Sequence, residues 1–254
     1  MKTPRGMTWW MALAVTCSEC PAASEQDALV LLSNPLSDLN RFAANLDFDN
    51  DLGPQGDTER QTLSMEPTLS VHLSGDWRMV SRTRLPLIDT HEHSGLGDLH
   101  ETLLFTSSKG NAITWAVGGA VRLDTASDEE LGAGGWSAGP AVALVQRDGS
   151  EVSGILATRL WGGEPGVGNV WRIEGFTTWN RDGHGVSLAL EAEHDSLTQE
   201  TTCPISIGIS RVVRSGAVFV NIGARARYFL DVPMDKGPWG LGITFAIVHD
   251  FDAR

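Results

Sequence analysis

Apolar and polar residues alternate along most of this chain. In RQTLSMEPTLSVHL (60–73) every even position is polar, while the odd positions are Gln61, Leu63, Met65, Pro67, Leu69, Val71 and Leu73. Successive side chains of a strand point to opposite faces, so a period of two gathers the polar groups on one face. AITWAVGGAVRL (112–123) sets Ile113, Trp115, Val117, Val121 and Leu123 against Thr114, Ala116, Gly118, Ala120 and Arg122. AVFVNIGARARY (217–228) sets Val218, Val220, Ile222, Ala224, Ala226 and Tyr228 against Asn221, Gly223, Arg225 and Arg227. WGLGITFAIVHDF (239–251) sets Trp239, Leu241, Ile243, Phe245 and Ile247 against Gly240, Gly242, Thr244 and Ala246. Weaker alternation marks 45–52, 77–88, 98–107, 136–146, 151–161, 170–180, 186–194 and 201–212. The pattern predicts about twelve strands, most near the roughly ten residues that a tilted membrane-crossing strand needs.

Residues 24–44 read differently. Ala28 to Leu32, Leu36, Leu39 and Phe42 recur at helical spacing, interrupted by Pro35, which predicts a short N-terminal helical segment. Such a segment in the lumen or across its mouth would act as a plug. Residues 45–251 then form one all-β domain.

The connections alternate in length. SGD (74–76), SSKGN (107–111), RDGS (147–150), RDGH (181–184) and VRSG (213–216) are short turns. Between them lie 53–59, 89–97, 124–135, 162–169, 195–200 and 231–238, most of them longer. An outer-membrane barrel has this parity, with short periplasmic turns and longer external loops. A soluble sandwich has no reason to sort loops so. Trp77, Trp115, Trp136, Trp161, Trp171, Trp179, Tyr228, Trp239 and Phe251 lie near strand ends, as aromatic girdles at both membrane interfaces require. The expected fold is a transmembrane antiparallel up-and-down β-barrel, its apolar face toward lipid.

Residues 1–23 fit the same destination. Lys2 and Arg5 precede an apolar run from Met7 to Thr16, with Ala22 and Ala23 for cleavage, which reads as a secretory signal peptide. Cys17 and Cys20 leave with it, so Cys203 has no intramolecular partner in the mature chain. The net charge of −13 argues against a nucleic-acid partner. Expected partners are outer-membrane lipid and lipopolysaccharide, the barrel-assembly machinery and a small solute.

The motifs, taken in order, resemble an outer-membrane transporter family named for the MetA pathway of phenol degradation and also described as neuromedin U-like. SNPLSDLNRFAANLDFDNDLGP (33–54) matches its Asn-Pro start and extended segment. GDWRMVSRTRLPLI (75–88), SGLGD (94–98), GGWSAGP (134–140) and GARARYF…GPWGLGITF (223–245) follow in the family's order. The loop at 162–169 is shorter than the family's, and Asp252–Arg254 extend past the terminal aromatic Phe251. The resemblance implies an outer-membrane solute channel and brings no catalytic residues and no substrate.

The phase of the strands assigns candidate lumen-lining residues: Arg60, Glu66, His72, Arg78, Arg82, Arg84, Arg122, Arg172, Glu174, Arg225 and Arg227. Two readings are open. The arginines form a basic ladder that selects anions, or they pair with Glu66, Glu174, Glu191 and Glu193 and brace a narrow interior. Asp47, Asp49, Asp51, Asp57, Glu59, Asp124, Asp128, Glu129 and Glu130 read as external-loop charge, solvated or bridging divalent cations to lipopolysaccharide. His91-Glu92-His93 offers two metal ligands, too few for a site, and neither a metal nor a cofactor is expected. His194-Asp195-Ser196 is adjacency, not a triad, and no nucleophile-elbow motif supports an enzyme. The function expected is a channel or transporter for small solutes, apolar or anionic. The alternatives are a structural or adhesive barrel without transport and a rim-site lipid hydrolase.

Overall fold

The structure, a computed structural model, describes residues 24–52, 58–109, 112–230 and 238–249. The expected signal peptide, Phe251 and the Asp252–Arg254 tail lie outside the described residues. Helix α1 (Glu25–Ser33) precedes β1 (Arg41–Leu52), β2 (Thr58–His72), β3 (Trp77–Thr90), β4 (Ser94–Leu96), β5 (Leu99–Ser107), β6 (Ile113–Leu123), β7 (Ser137–Asp148) and β8 (Glu151–Gly162). Then come β9 (Val170–Arg181), β10 (His184–Asp195), β11 (Thr201–Thr202), β12 (Pro204–Ser215), β13 (Val218–Phe229) and β14 (Trp239–His249). β4 and β11 are short additions at the loop end, paired with β3 and β10. The other twelve strands close into an antiparallel barrel when β14 pairs with β1, from Arg41↔Val248 to Asn50↔Trp239. Closure leaves no strand edge to lipid, where an unpaired backbone group costs several kcal/mol.

Outward and inward faces follow the period of two. Ile209, Ile113 and Ile243 are 65%, 55% and 53% exposed on the outer wall. Their in-strand neighbours Gly208, Thr114 and Gly242 point inward. Such an apolar belt belongs to a barrel in lipid. Trp77, Trp115 and Trp179 ring the turn end, and Trp136, Trp161, Trp171, Tyr228 and Trp239 ring the loop end. All eight are between 45% and 50% exposed, the posture of an aromatic girdle. Arg159 shares this outer face, and its guanidinium stacks over Trp171 at 4.4 Å, carrying the charge to the interface. Glu101 also faces outward. Its carboxylate accepts hydrogen bonds from Ser81 Oγ at 2.6 Å and Thr83 Oγ1 at 2.5 Å.

The short turns have the conformations their sequences demand. Asp182 and Gly183 both take positive φ, 51° and 74°, the mirror-image two-residue turn that matches strand twist. The strand boundaries follow the pattern within a few residues, with two larger shifts. β12 runs from Pro204 to Ser215 rather than over 201–212, so most of the expected 213–216 turn is strand. β1 begins at Arg41, within the segment assigned to the plug, because Arg41 and Ala43 already alternate with Phe42 and Ala44 in register with β14.

The closing seam explains the small inner face of β14. Asp47 and Gly242 are register partners, and Gly242 pairs in turn with Arg225 on β13. The Asp47 carboxylate reaches across the glycine and accepts Arg225 Nε at 2.9 Å and Nη2 at 2.6 Å. One rung further, Asp49 reaches across Gly240 to accept Arg227 Nε at 2.8 Å and Nη2 at 2.5 Å. A Cβ on Gly242 would stand 2.3 Å from Asp47 Oδ1, and one on Gly240 would stand 2.2 Å from Asp49 Oδ1. Both aspartates are 1% exposed, so they are not the loop charge that the sequence suggested. β1 extends through them, and the alternation turns them inward.

The expected cost follows. Gly242→Ala forces the Asp47–Arg225 rung apart and lowers stability by about 1–3 kcal/mol. Gly119→Ala, where the nearest atom to the new Cβ is 3.5 Å away, changes it by less than about 0.5 kcal/mol. Urea titrations read by heat-modifiable gel migration measure both, and equal effects would discount the seam.

Candidate functional site: a charged chamber between a plug and a lid

Helix α1 closes the turn end of the barrel. Ser24 caps it, its Oγ accepting from Asp27 N at 3.1 Å while Asp27 Oδ2 accepts from Ser24 N at 3.3 Å. Ala28, Leu29, Val30 and Leu32 are buried, and so are Leu36 and Leu39 beyond the helix. They pack on inward residues of the wall, among them Val80, Leu104, Val145, Val152, Val212, Phe219 and Val248. Polar ties fix the helix to the rim: Gln26 Nε2 donates to Asn180 O at 3.0 Å, and Arg214 N donates to Glu25 Oε1 at 3.0 Å. Arg41 Nη1 donates to Leu32 O and Arg78 Nη2 to Leu36 O, satisfying carbonyls at and beyond the helix end.

Above this apolar stopper the lumen is charged. Its middle compartment encloses ≈ 200 Å³ and includes Arg82, Arg84, His100, Arg172, Glu174 and Glu191 in its lining. The outer compartment encloses ≈ 380 Å³ and shares Arg84, His100, Arg172, Glu191 and Glu193 with the first, so the two form one chamber. Arg84 pairs with Glu66 on the neighbouring strand at 3.6 Å, and Arg172 with Glu193 on the next strand at 2.5 Å. Arg82 of β3 meets Glu174 of β9 at 3.6 Å, although four strands, β5, β6, β7 and β8, separate them along the wall. That pair therefore crosses the lumen and narrows it. Arg60 approaches Asp49 at 3.7 Å, joining the second seam rung.

A roof covers the loop end. The connection from β6 to β7 folds over the chamber, so that Leu131, Gly132 and Ala133 line its outer compartment. Asp98, 5% exposed, is the clasp. Its Oδ1 accepts from Thr125 N and Ala126 N, both at 3.3 Å, and its Oδ2 accepts from Ala133 N at 2.8 Å. A second tie is made outside the barrel wall, where His93 Nδ1 lies 3.1 Å from Asp128 Oδ2.

Nine of the eleven phase-assigned residues line the chamber or its seam: Arg60, Glu66, Arg82, Arg84, Arg122, Arg172, Glu174, Arg225 and Arg227. Two do not. Arg78 holds the plug, and His72 sits exposed at the turn-end rim with Nδ1 3.2 Å from Ser108 Oγ. The arginines are predominantly braced by carboxylates rather than arrayed as a free basic ladder. Sequence reasoning left out Arg41, Asp98 and His100. Continuing the even phase of 98–107 would have turned Asp98 and His100 inward. Among the described residues no group of three or more His, Cys, Asp or Glu is placed to hold a metal ion. His194 Nδ1 lies 3.0 Å from Thr201 Oγ1, Asp195 Oδ1 accepts Leu197 N at 2.7 Å, and Ser196 Oγ accepts Asn169 N at 3.1 Å. Each of the three serves a local contact.

The lid ties carry two expectations. The hydrogen bond with Asp128 raises the His93 pKa above the ordinary histidine value. The Asp128 pKa is lowered, first by the Glu130 N–H and then by His93. A raised histidine contributes fully below its unfolded pKa and fades as pH climbs through the raised one. A lowered aspartate contributes above its unfolded pKa and fades as pH falls through the lowered one. The tie is therefore strongest between about pH 4 and 6.5. Amides of residues 125–133, corrected for intrinsic exchange, should be more protected at about pH 5.5 than at about pH 8.5, and His93→Ala should remove the difference. Asp98→Ala should deprotect the same amides by about tenfold or more at either pH, since hydrogen bonds to a charged acceptor contribute roughly 1.5–3 kcal/mol.

Solved structures of the same architecture are outer-membrane proteins. An outer membrane channel from Pseudomonas putida F1 superposes with a TM-score of 0.62 at 12% identity, covering 84% of this chain and 95% of that one. The NanC porin superposes with a TM-score of 0.53 at 10% identity, covering 83% and 100%. No family model matches the chain, and no curated protein matches it in sequence. The kinship supported is thus one of fold, coarser than the phenol-degradation family that the motifs resemble. The chain folds as outer-membrane β-barrel channels fold.

Proposed function

We propose that this protein is an outer-membrane channel for small solutes, closed by α1 at the periplasmic end and by the 124–136 segment at the external end. The observation that carries this reading is the chamber itself. A barrel that serves only as a scaffold fills its lumen with side chains. Here compartments of ≈ 200 and ≈ 380 Å³ persist between two closures. Each closure is a separate segment tied to the wall by hydrogen bonds, so each can leave while the barrel stays shut to lipid. The solutes fitted to the chamber are small and either apolar or anionic, since its lining mixes arginine with Pro86, Ile88, Leu131 and Phe229. We take the chain as a non-enzyme, because His194, Asp195 and Ser196 each serve a local contact and do not converge. The outer wall suits lipid and lipopolysaccharide as surroundings, and the barrel-assembly machinery as the route to them.

Planar-bilayer recordings test the channel. The mature chain should give small, interrupted conductance, and deleting residues 24–39 should raise it severalfold while the barrel stays heat-modifiable. Unchanged conductance would remove the plug from the mechanism. Silence in both forms would leave the scaffold reading.

A further inference from the structure

The inner faces of β9 and β10 carry an uneven set of charges. β9 contributes Arg172 and Glu174, and β10 contributes Glu191 and Glu193. Arg172 and Glu193 are register partners, and so are Glu174 and Glu191. Arg172 Nε donates to Glu193 Oε2 at 2.8 Å, and Glu174 reaches across the lumen to Arg82 at 3.6 Å. Glu191 is left over. Among the described residues it has neither an ion pair nor a hydrogen bond. The other inward carboxylates of the chamber, Asp47, Glu66, Asp98, Glu174 and Glu193, each stand in an ion pair.

The Glu191 carboxylate is open to the lumen. The residue is half-buried, and neither of its oxygens is sealed from the chamber. It lines both compartments, so it stands where they join. Like charges directly opposite on neighbouring strands repel, and a cationic group beside Glu191 and Glu174 relieves that repulsion. A metal ion is a poor candidate, because among the described residues no group of three or more His, Cys, Asp or Glu is placed to hold one. A simple organic cation would meet Arg82, Arg84, Arg172 and Arg225, which line the same compartment. A ligand that brings its own anion meets both demands. Arg84 lines both compartments with Glu191, and its side chain is 32% exposed. Its Nε lies 3.6 Å from Glu66, beyond hydrogen-bond reach, and none of its nitrogens is sealed from the lumen. Arg84 therefore has donors to give.

We propose that the junction of the two compartments binds a small amino acid, its ammonium on Glu191 and its carboxylate on Arg84. The site adds zwitterions to the apolar and anionic solutes of the channel reading, and only its role in transport rests on that reading.

Titration calorimetry on the full mature chain, refolded in detergent at low salt, tests the site with alanine, ethylammonium and propionate. Ethylammonium is alanine without its carboxylate, and propionate is alanine without its ammonium. Alanine should bind at least about tenfold more tightly than either, since each charged end adds charge-assisted hydrogen bonds. Glu191→Gln is nearly isosteric and breaks no ion pair. It should weaken alanine by about tenfold or more and leave propionate no weaker. Glu191→Asp draws the carboxylate back by one methylene, and it should shift the preference toward β-alanine, which is longer by one. Heat-modifiable migration certifies the fold of each variant, and the aspartate variant decides if the glutamine variant fails to fold. A smaller loss of alanine affinity in folded Glu191→Gln overturns the site. So does an unchanged preference in Glu191→Asp, or no alanine binding at all. Ethylammonium or propionate binding as tightly as alanine overturns the zwitterion assignment. Conductance of the form lacking residues 24–39 separates the two readings. Current without Glu191-dependent binding sinks the site alone, and binding without current sinks the channel alone.

Discussion

The structure depends on one closure. A sheet in hydrocarbon cannot keep an edge, so β1 must find β14 and hold it in a single register. A slip of one residue would turn Trp239, Leu241 and Ile243 into the lumen and push Asp47 and Asp49 into lipid. The two Asp–Arg rungs oppose that slip. They span three strands, β1, β14 and β13, rather than two, and they do so because β14 offers glycine at each crossing. The small inner face of the last strand is therefore part of the closure and not merely spare room.

A closed wall then decides what the inside can contain. The apolar third at the turn end takes α1, whose buried face would otherwise meet water. The charged part above it cannot accept a hydrophobic stopper without stranding ions. The closure at the loop end is accordingly polar: backbone amides of the lid on Asp98 rather than side chains on a greasy wall. The two ends are shut by different chemistry because the lumen changes character along its axis. Arg78 and Arg41 belong to the lower closure although the alternation places them with the lumen residues, since their donors go to Leu36 and Leu32 carbonyls.

Most of the architecture was legible in the sequence because barrel rules are local. Period two gives the face, loop parity gives the side, and tryptophan gives the rims. That is why the outward residues of β2, β6, β13 and β14 and the strand count stand as expected. The charges were harder. Asp47 and Asp49 lie in an acidic stretch close to a loop, and although 45–52 reads as a strand, its weak alternation did not say that they face inward. Their partners are about 178 positions away, set by a register that no local pattern encodes. The choice between a basic ladder and a braced interior was open for the same reason. Arg82 finds Glu174 across the lumen, and strand phase says which residues share the inside without saying which of them meet.

Asp98 is where these constraints converge. One carboxylate faces three lid amides and one guanidinium, and it cannot satisfy all of them. With the lid down, the amides have it and the Arg122 fork is left over. With the lid lifted, the same oxygens are released beside Arg122, 3.9 Å away at the nearest.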